Sequence, residues 1–258
     1  MKKIIIKLML VSFTLLAITS CSSDSDTTNT NPVDPKAGNQ RPLGASANDF
    51  LSDIAYNSIT LEIGYIDGYR PTQSAINNLL QMLSNRTKKP DGISIIETPV
   101  PATNVGTLSI DEVRQIEDDN RTIFNEDDDL AVWVFFADNN SNEDSGNTAK
   151  LGTAYRNTSC VIYEKTIQDI TQQFTGPSRA TMEATTMLHE FGHLFGLVDL
   201  GTEMVDDHED TENSGHCTEE DCLMYFQTVA NISSMVDLNS IPDFGEFCLA
   251  DLRANGGK

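Results

Sequence analysis

The chain contains 258 residues, of which 39 are acidic and 17 basic, so its formal net charge is −22. That length is enough for one full-sized domain with appendages. The acidic excess argues against a nucleic-acid partner, because phosphate binding requires basic patches, and it also opposes electrostatic attraction to anionic lipid.

Residues 1–20 have the composition of an export signal. Three lysines precede an apolar run at residues 8–18, which is too short for a comfortable membrane span, and small residues follow before Cys21. This ending resembles a bacterial lipobox, which implies cleavage before Cys21 and lipidation of its thiol; the alternative is a secretion signal with Cys21 unmodified. Because Ser22 rather than aspartate follows, the resemblance to bacterial sorting rules implies the outer membrane, at its periplasmic face or the cell surface.

Removing residues 1–20 leaves 14 basic and 39 acidic residues, a net charge of −25. Residues 21–48 are polar, contain prolines and have almost no large apolar groups, so we predict a flexible tether that begins with the lipidated cysteine. The domain is predicted over residues 49–258, and we expect it to be attached to the membrane only through the lipid.

Alternating and helical apolar spacing predict a series of elements in this domain. In chain order they are a strand at 59–66, a helix at 71–83, a strand at 93–96, a helix of roughly ten residues after a capping box at Ser109 and Glu112, a central strand at 130–136, and short strands at 151–155 and 159–163. This order predicts an α+β fold with a mixed five-stranded sheet and helices packed on it.

The loop at residues 138–147 offers a possible calcium site. Its acidic and amide side chains alternate as calcium ligands do: Asp138, Asn140, Asn142 and Asp144. However, Glu143 occupies the sixth position, where an EF-hand requires glycine. A solvated turn is therefore the preferred prediction, with Ca²⁺ as the alternative.

The strongest chemical signal is HEFGH at residues 189–193, on a predicted helix that begins after its N-cap Ser178. Residues four apart on a helix share a face, so His189 and His193 direct both imidazoles at one point. Neutral imidazoles suit Zn²⁺, and Glu190 is placed to act as general base on a water. An ordinary buried helix with two hydrogen-bonded histidines is the weaker interpretation, because the chain has only four histidines.

Two segments together point to a known family: HEFGHLFGLVD from residue 189 and HCTEEDCLMY at residues 216–225. The first resembles the metzincin clan of zinc peptidases, in which a glycine turns the chain toward a third ligand. The second resembles the HC-x4-C-x-M segment of archaemetzincin-like members, and implies that Met224 is the Met-turn methionine.

The resemblance implies a zincin fold. Its α/β-like upper subdomain carries the active-site helix, and a small irregular C-terminal subdomain carries the Met-turn. It also implies that the strand at residues 151–157 lies along the cleft, where an extended peptide adds by backbone pairing.

Three residues compete as the third zinc ligand. His216 is preferred because it stands where the resembling family has its third histidine, although it lies seventeen residues beyond the ordinary position. Asp199 occupies that ordinary position, three residues after Gly196, and carboxylates are acceptable zinc ligands. His208, in an acidic run, is the remaining candidate, and a losing candidate near the metal is expected to orient a ligand imidazole.

Four cysteines remain once Cys21 is assigned to the lipid, and an even number in an exported protein predicts disulfides. Cys217 and Cys222 close a short loop and are the preferred pair, which leaves Cys160 with Cys248; the other connectivities stay open. In archaemetzincin-like proteins the corresponding cysteines and a later CxxC hold a second zinc. Only Cys248 remains of that later pair, so a second zinc is not predicted.

The sequence thus predicts a lipid-anchored, monomeric zinc endopeptidase with one catalytic Zn²⁺ and a protein or peptide substrate. One alternative is a non-catalytic surface lipoprotein of the same fold that captures protein or glycan. The other is a metal carrier that uses the acid-rich segment at residues 203–221.

Overall fold

A mixed five-stranded sheet organises the structure, a computed structural model that describes residues 34–146, 148–173, 176–226 and 240–258. Its strands are β1 (Ser58–Tyr65), β2 (Gly92–Pro99), β4 (Asp129–Phe136), β6 (Gly152–Arg156) and β7 (Ser159–Ile162); two short strands, β3 (Thr107–Leu108) and β5 (Asn140–Ser141), pair with each other. The spatial order is β2-β1-β4-β7-β6, with β6 antiparallel at one edge and the others parallel. The predicted five-stranded mixed sheet is confirmed.

Six α-helices of the described residues surround the sheets: α1 (Ala47–Leu51), α2 (Gln73–Arg86), α3 (Ile110–Asn120), α4 (Glu164–Gln173), α5 (Arg179–Leu194) and α6 (Glu246–Ala254). The predicted capping box begins α3, where Ser109 and Glu112 satisfy each other's backbone N–H groups. Helix α4 is absent from the prediction. Its buried face contains Thr166, Ile167 and Ile170, β-branched residues that favour strands and obscure its helical period.

Strand β4 separates two apolar clusters. Val132 and Val134 join the cluster that includes the buried faces of α2 and α5, whereas Trp133 and Phe135 pack with Val113 of α3. Burial on both faces is the reason that β4 reads as a continuous apolar run. Each of these side chains stabilises the fold by about 1.5–3 kcal/mol, so the sheet is a firm support for residues at its edge.

The tether predicted over residues 21–48 differs from the structure, in which the chain from residue 34 onward belongs to the compact unit Asp34–Lys258. Asn39, for example, is fully buried and hydrogen-bonded to the domain. Because buried polar contacts hold much of this segment, its polar composition did not reveal it. The predicted signal, Cys21 and the residues up to 33 lie outside the described residues.

Among the helices of the described residues, none combines the length and apolar character that a membrane crossing requires.

Candidate metal centre and cleft

Helix α5 places two predicted ligands side by side. Its N-cap Ser178 accepts a hydrogen bond from the Thr181 N–H at 3.1 Å, and the helix continues, largely buried, to Leu194. His189 and His193 lie four residues apart and share a face, so their ring centroids are 4.8 Å apart.

His216 completes a group of three imidazoles. Its ring centroid lies 5.2 Å from that of His189 and 5.1 Å from that of His193. One nitrogen atom from each ring lies within 4.8 Å of the other two. Three histidines form a donor set that catalytic zinc sites use, with a further position open to water or substrate.

Backbone carbonyls orient two of the rings. Nδ1 of His189 lies 2.8 Å from the carbonyl oxygen of Leu223, and Nδ1 of His216 lies 3.2 Å from that of Asn213. A carbonyl only accepts, so each Nδ1 donates its N–H and each Nε2 keeps a lone pair for a cation. Nδ1 of His193 is buried without a hydrogen-bond partner among the described residues.

The protonation states also fit a metal. Burial, together with the neighbouring His216, lowers the pKa of His189 to about 3. Burial likewise lowers the pKa values of His193 and His216. The imidazoles are therefore neutral at physiological pH, which is the form that coordinates a metal ion.

Glu190 lies buried against β6. Its Oε2 atom accepts a hydrogen bond from the Ala154 N–H at 2.7 Å. A Cβ atom on Gly152 would lie only 2.7 Å from Oε1, so the strand needs glycine here to approach the carboxylate. Burial raises the pKa of Glu190 to about 8, which makes it a better proton acceptor than a solvated glutamate.

Met224 packs against the C-terminal part of α5. A Cβ atom on Gly192 would lie 2.2 Å from Met224 Sδ, so a glycine on the helix makes room for the methionine. The Cys217 N–H donates to the Met224 carbonyl at 2.9 Å, and Phe226 packs edge-on against His216 with centroids 5.1 Å apart. The turn around Met224 therefore supports the loop that carries the third imidazole.

Asp199 lies apart from the three imidazoles. After α5 the backbone adopts left-handed conformations at Gly196, Val198 and Asp199, with φ of 72°, 57° and 64°. The Thr202 N–H closes this turn on the Gly196 carbonyl at 2.9 Å. The turn leaves Asp199 exposed, so its position three residues after the glycine does not bring it to the histidines.

The predicted disulfides are not formed. Each of the four cysteines that the structure describes is a free thiol. Cys160 lies buried on β7, whereas Cys248 lies on α6 with its Sγ atom 3.6 Å from that of Cys222, far beyond the roughly 2.05 Å of a disulfide bond. The physical reason is that Cys217, Cys222 and Cys248 converge on one another instead of forming separate pairs.

Cys217, Cys222 and Cys248 are called the thiol cluster below, and His208 lies against it. Ligand atoms of His208, Cys217 and Cys248 lie within 4.8 Å of one another. Nδ1 of His208 lies 3.3 Å from Cys217 Sγ, while its Nε2 lies 2.8 Å from a carboxylate oxygen of Asp251. The carboxylate accepts a hydrogen bond from the Nε2–H group, so Nδ1 presents its lone pair to the thiols.

The surroundings of Cys222 in the thiol cluster favour its ionised form, the thiolate. Hydrogen bonds from Cys217 and Cys248 lower the pKa of the Cys222 thiol to about 3. The Gly245 N–H also donates to Cys222 Sγ at 3.1 Å. Thiolate rather than thiol is the form that binds a metal.

Two carboxylates of the loop at residues 138–147 accept hydrogen bonds from residues outside the loop. Asp138 accepts a hydrogen bond from the Thr103 hydroxyl at 2.9 Å, and Asp144 accepts one from the Lys150 N–H at 2.8 Å. The Ca²⁺ alternative for this loop stays a prediction.

The three imidazoles open into a cleft of about 260 Å³. Strand β6 forms one side of it. Its remaining lining comes from Leu43, Lys150, Leu200, Ser214 and Phe226, beside the histidines and Glu190. Neither Leu43 nor Lys150 is identified by sequence reasoning, because only the tertiary fold brings them to the histidines and no local pattern marks either.

The five-stranded mixed sheet, with helix α5 beside its antiparallel edge strand, defines an α+β fold that can be compared with solved structures. Among solved structures, the chain is similar to the 1.5 Å crystal structure of archaemetzincin from Methanopyrus kandleri, with a TM-score of 0.50 and 17% sequence identity. The match covers 77% of this chain and 96% of that chain, and at this identity it shows a shared fold. No protein-family model matches the sequence, and no curated protein matches it either.

Proposed function

We propose that this chain is a zinc-dependent endopeptidase that hydrolyses peptide bonds of protein substrates. The observation that carries the proposal is the convergence of His189, His193 and His216 beside the buried carboxyl group of Glu190 in an open cleft. The three imidazoles hold the zinc ion, and Met224 beneath them is the Met-turn methionine.

A zinc ion at such a site lowers the pKa of water and polarises a carbonyl group. Glu190 accepts the proton that the attacking water loses, and then donates it to the leaving amine. The Ala154 N–H fixes one oxygen of the Glu190 carboxylate and leaves the other for this proton transfer.

Strand β6 orients the substrate. It is the antiparallel edge strand of the sheet, so its outer backbone groups can pair with an extended peptide. Residues 152–154 of this strand line the cleft, which brings a paired peptide alongside Glu190.

The first prediction tests the general base. Glu190→Ala should retain zinc, because the three imidazoles are unchanged, while peptide turnover should fall by at least about a hundredfold. Turnover is measured with a quenched-fluorescence peptide mixture, and zinc by elemental analysis. The matched control is Glu203→Ala, an exposed acidic residue, which should leave both quantities unchanged. Full turnover in zinc-loaded Glu190→Ala would contradict the mechanism.

The alternative function is capture of protein or glycan without catalysis. A capture protein needs no general base, whereas Glu190 is present here and is held by the Ala154 N–H. The same experiment separates the two functions, since a capture protein shows no turnover before or after the Glu190 substitution.

We also propose a second, structural zinc ion held by His208, Cys217, Cys222 and Cys248. One imidazole and three thiolates are a common structural zinc set, and all four side chains are buried. Asp251 accepts a hydrogen bond from the Nε2–H group of His208 and so orients the ring. Such a site would tie α6 to the loop that carries His216.

We propose that the protein is anchored in the bacterial outer membrane through a lipid on Cys21, which lies outside the described residues. The support is the lipobox-like sequence and the charge of −25 on residues 21–258, which opposes direct adhesion to anionic lipid. Its partner is a protein or peptide substrate rather than nucleic acid, and it acts as a monomer.

A further inference from the structure

The segment before α1, residues 34–46, is held on the domain by buried hydrogen bonds. The side-chain amide of Asn39 donates to the Ala131 carbonyl and to the Thr158 hydroxyl, both at 3.0 Å. Its oxygen accepts from the Asn125 N–H at 2.9 Å. A fully buried amide with partners on several elements fixes the segment in one position.

The same segment pairs with the turn between β6 and β7. The Arg41 N–H donates to the Asn157 side chain at 2.9 Å, and the Asn157 N–H donates to the Arg41 carbonyl at 3.0 Å. The Arg41 guanidinium also donates to Ser46 at 2.5 Å and to Asp49 at 2.8 Å. These bonds hold the chain on both sides of Leu43.

Two glycines then bring the segment against the loop that follows α5. A Cβ atom on Gly44 would lie 1.4 Å from the Leu200 carbonyl oxygen, and one on Gly201 would lie 2.6 Å from the Gly44 carbonyl oxygen. Both glycines have positive φ, so side chains are unfavourable at both positions. As a result their neighbours, Leu43 and Leu200, are half-buried and line the cleft that holds the three imidazoles.

We propose that Leu43 and Leu200 form an apolar subsite that selects peptides with a large aliphatic or aromatic side chain at one position. The inference rests on the proposed peptidase function and assigns its substrate class. Residues 34–46 are therefore part of the substrate-binding surface. The charge of the peptide should affect its selection less than this apolar side chain does, because Lys150, which lines the cleft, already forms an ion pair with Glu143 at 2.6 Å.

The test uses quenched-fluorescence peptides in which leucine replaces alanine at one position at a time. The wild-type protein should prefer leucine at one position by roughly tenfold in kcat/KM, a usual size for a few methylenes in a pocket. Leu43→Ala and Leu200→Ala should each reduce that preference to about threefold or less and leave the other positions unchanged. The matched control is Ile54→Ala, whose side chain is 84% exposed and does not line the cleft.

Binding provides a second measurement that does not depend on turnover. Dissociation constants of the same peptides for Glu190→Gln should show the same leucine preference, and Leu43→Ala in that background should reduce it to the same extent as in the turnover assay. Thermal unfolding of each variant separates a lost subsite from a lost fold. If Leu43→Ala fails to fold and Leu200→Ala folds, the Leu200→Ala variant provides the test.

The outcomes separate this inference from the proposed function. Cleavage by the wild type with an unchanged preference in both leucine variants overturns the subsite and leaves the peptidase proposal standing. Binding that depends on Leu43 without any cleavage overturns the peptidase proposal and supports the subsite. Neither cleavage nor binding of any peptide overturns both.

Discussion

At the scale of single residues, zinc content distinguishes the three candidate third ligands. The ring centroid of His216 lies 5.2 Å from that of His189, which is close to the 4.8 Å between His193 and His189. In contrast, Asp199 is exposed, and His208 lies against the thiol cluster. We therefore expect two zinc ions in the wild type, one in His216→Ala and two in Asp199→Ala. His208→Ala should also hold one ion, but should keep its catalytic zinc and most of its turnover.

Elemental analysis of each purified variant, paired with peptide turnover, checks this prediction. The informative contrast is between His216→Ala and His208→Ala, because each is expected to lose a different ion and only the first to lose turnover. If Asp199→Ala loses the catalytic ion while His216→Ala keeps it, the ordinary spacing after the glycine determines the third ligand. One zinc ion in the wild type would contradict the structural site.

Residue types and spacing predicted that His189 and His193 lie side by side with Glu190 next to them, because a helix converts i and i+4 into neighbours, and the structure has this arrangement. They were not sufficient for Asp199, since the prediction from spacing could not include the left-handed turn at residues 196–199. For the cysteines, an even number favoured pairs, but His208 lies beside Cys217 and Cys248, Cys222 lies beside Cys248, and Cys160 is a free thiol on β7. A local backbone turn determined the first outcome, and contacts between distant parts of the chain determined the second.

At the scale of elements, the contact between α5 and the turn around Met224 gives a stability prediction. Gly192→Ala would normally favour a helix by about 0.5–1 kcal/mol. Here the added Cβ would lie 2.2 Å from Met224 Sδ and 3.1 Å from Phe244. Overpacking of this kind costs about 1–3 kcal/mol, so we expect a lower Tm and weaker zinc retention.

Thermal unfolding at a fixed zinc concentration measures the effect of Gly192→Ala. The matched control is Gly106→Ala, because a Cβ at Gly106 meets nothing within 4 Å and its φ is not positive. Combining Gly192→Ala with Met224→Ala should recover part of the lost stability if the clash is the cause. A Tm equal to or above that of the wild type in Gly192→Ala alone would show that Met224 does not pack closely under the helix.

The elements that the sequence predicted carry either a clear apolar pattern or a distinct local motif. Strands β1 and β4 and helix α2 have the apolar pattern, α3 has its capping box and α5 has the HEFGH motif, and the structure confirms these elements. Helices α1 and α6 are short, with five and nine residues, and their burial depends on partners remote in the chain. A short element offers too few apolar positions for its period to be distinguished from chance.

At the scale of the whole molecule, the chain combines a structured unit, Asp34–Lys258, with an N-terminal part whose function is predicted from sequence alone. The polar composition of residues 21–48 argues against an apolar core of their own, but it could not show that residues 34–48 pack on the domain. Buried amides such as Asn39 acquire their partners only in the folded protein.

The last prediction concerns membrane attachment. Residues 21–258 carry a net charge of −25 and should be repelled by anionic lipid, so attachment should depend on the lipid at Cys21. Cys21→Ser should therefore move the protein from the membrane fraction to the soluble fraction after a high-salt wash, which removes residual electrostatic contacts. The neighbouring substitution Ser23→Ala is the matched control and should stay with the membrane and partition into detergent like the wild type. Immunoblotting of both fractions gives the measurement, and a Cys21→Ser protein that still sediments with washed membranes would rule out the lipid as the anchor.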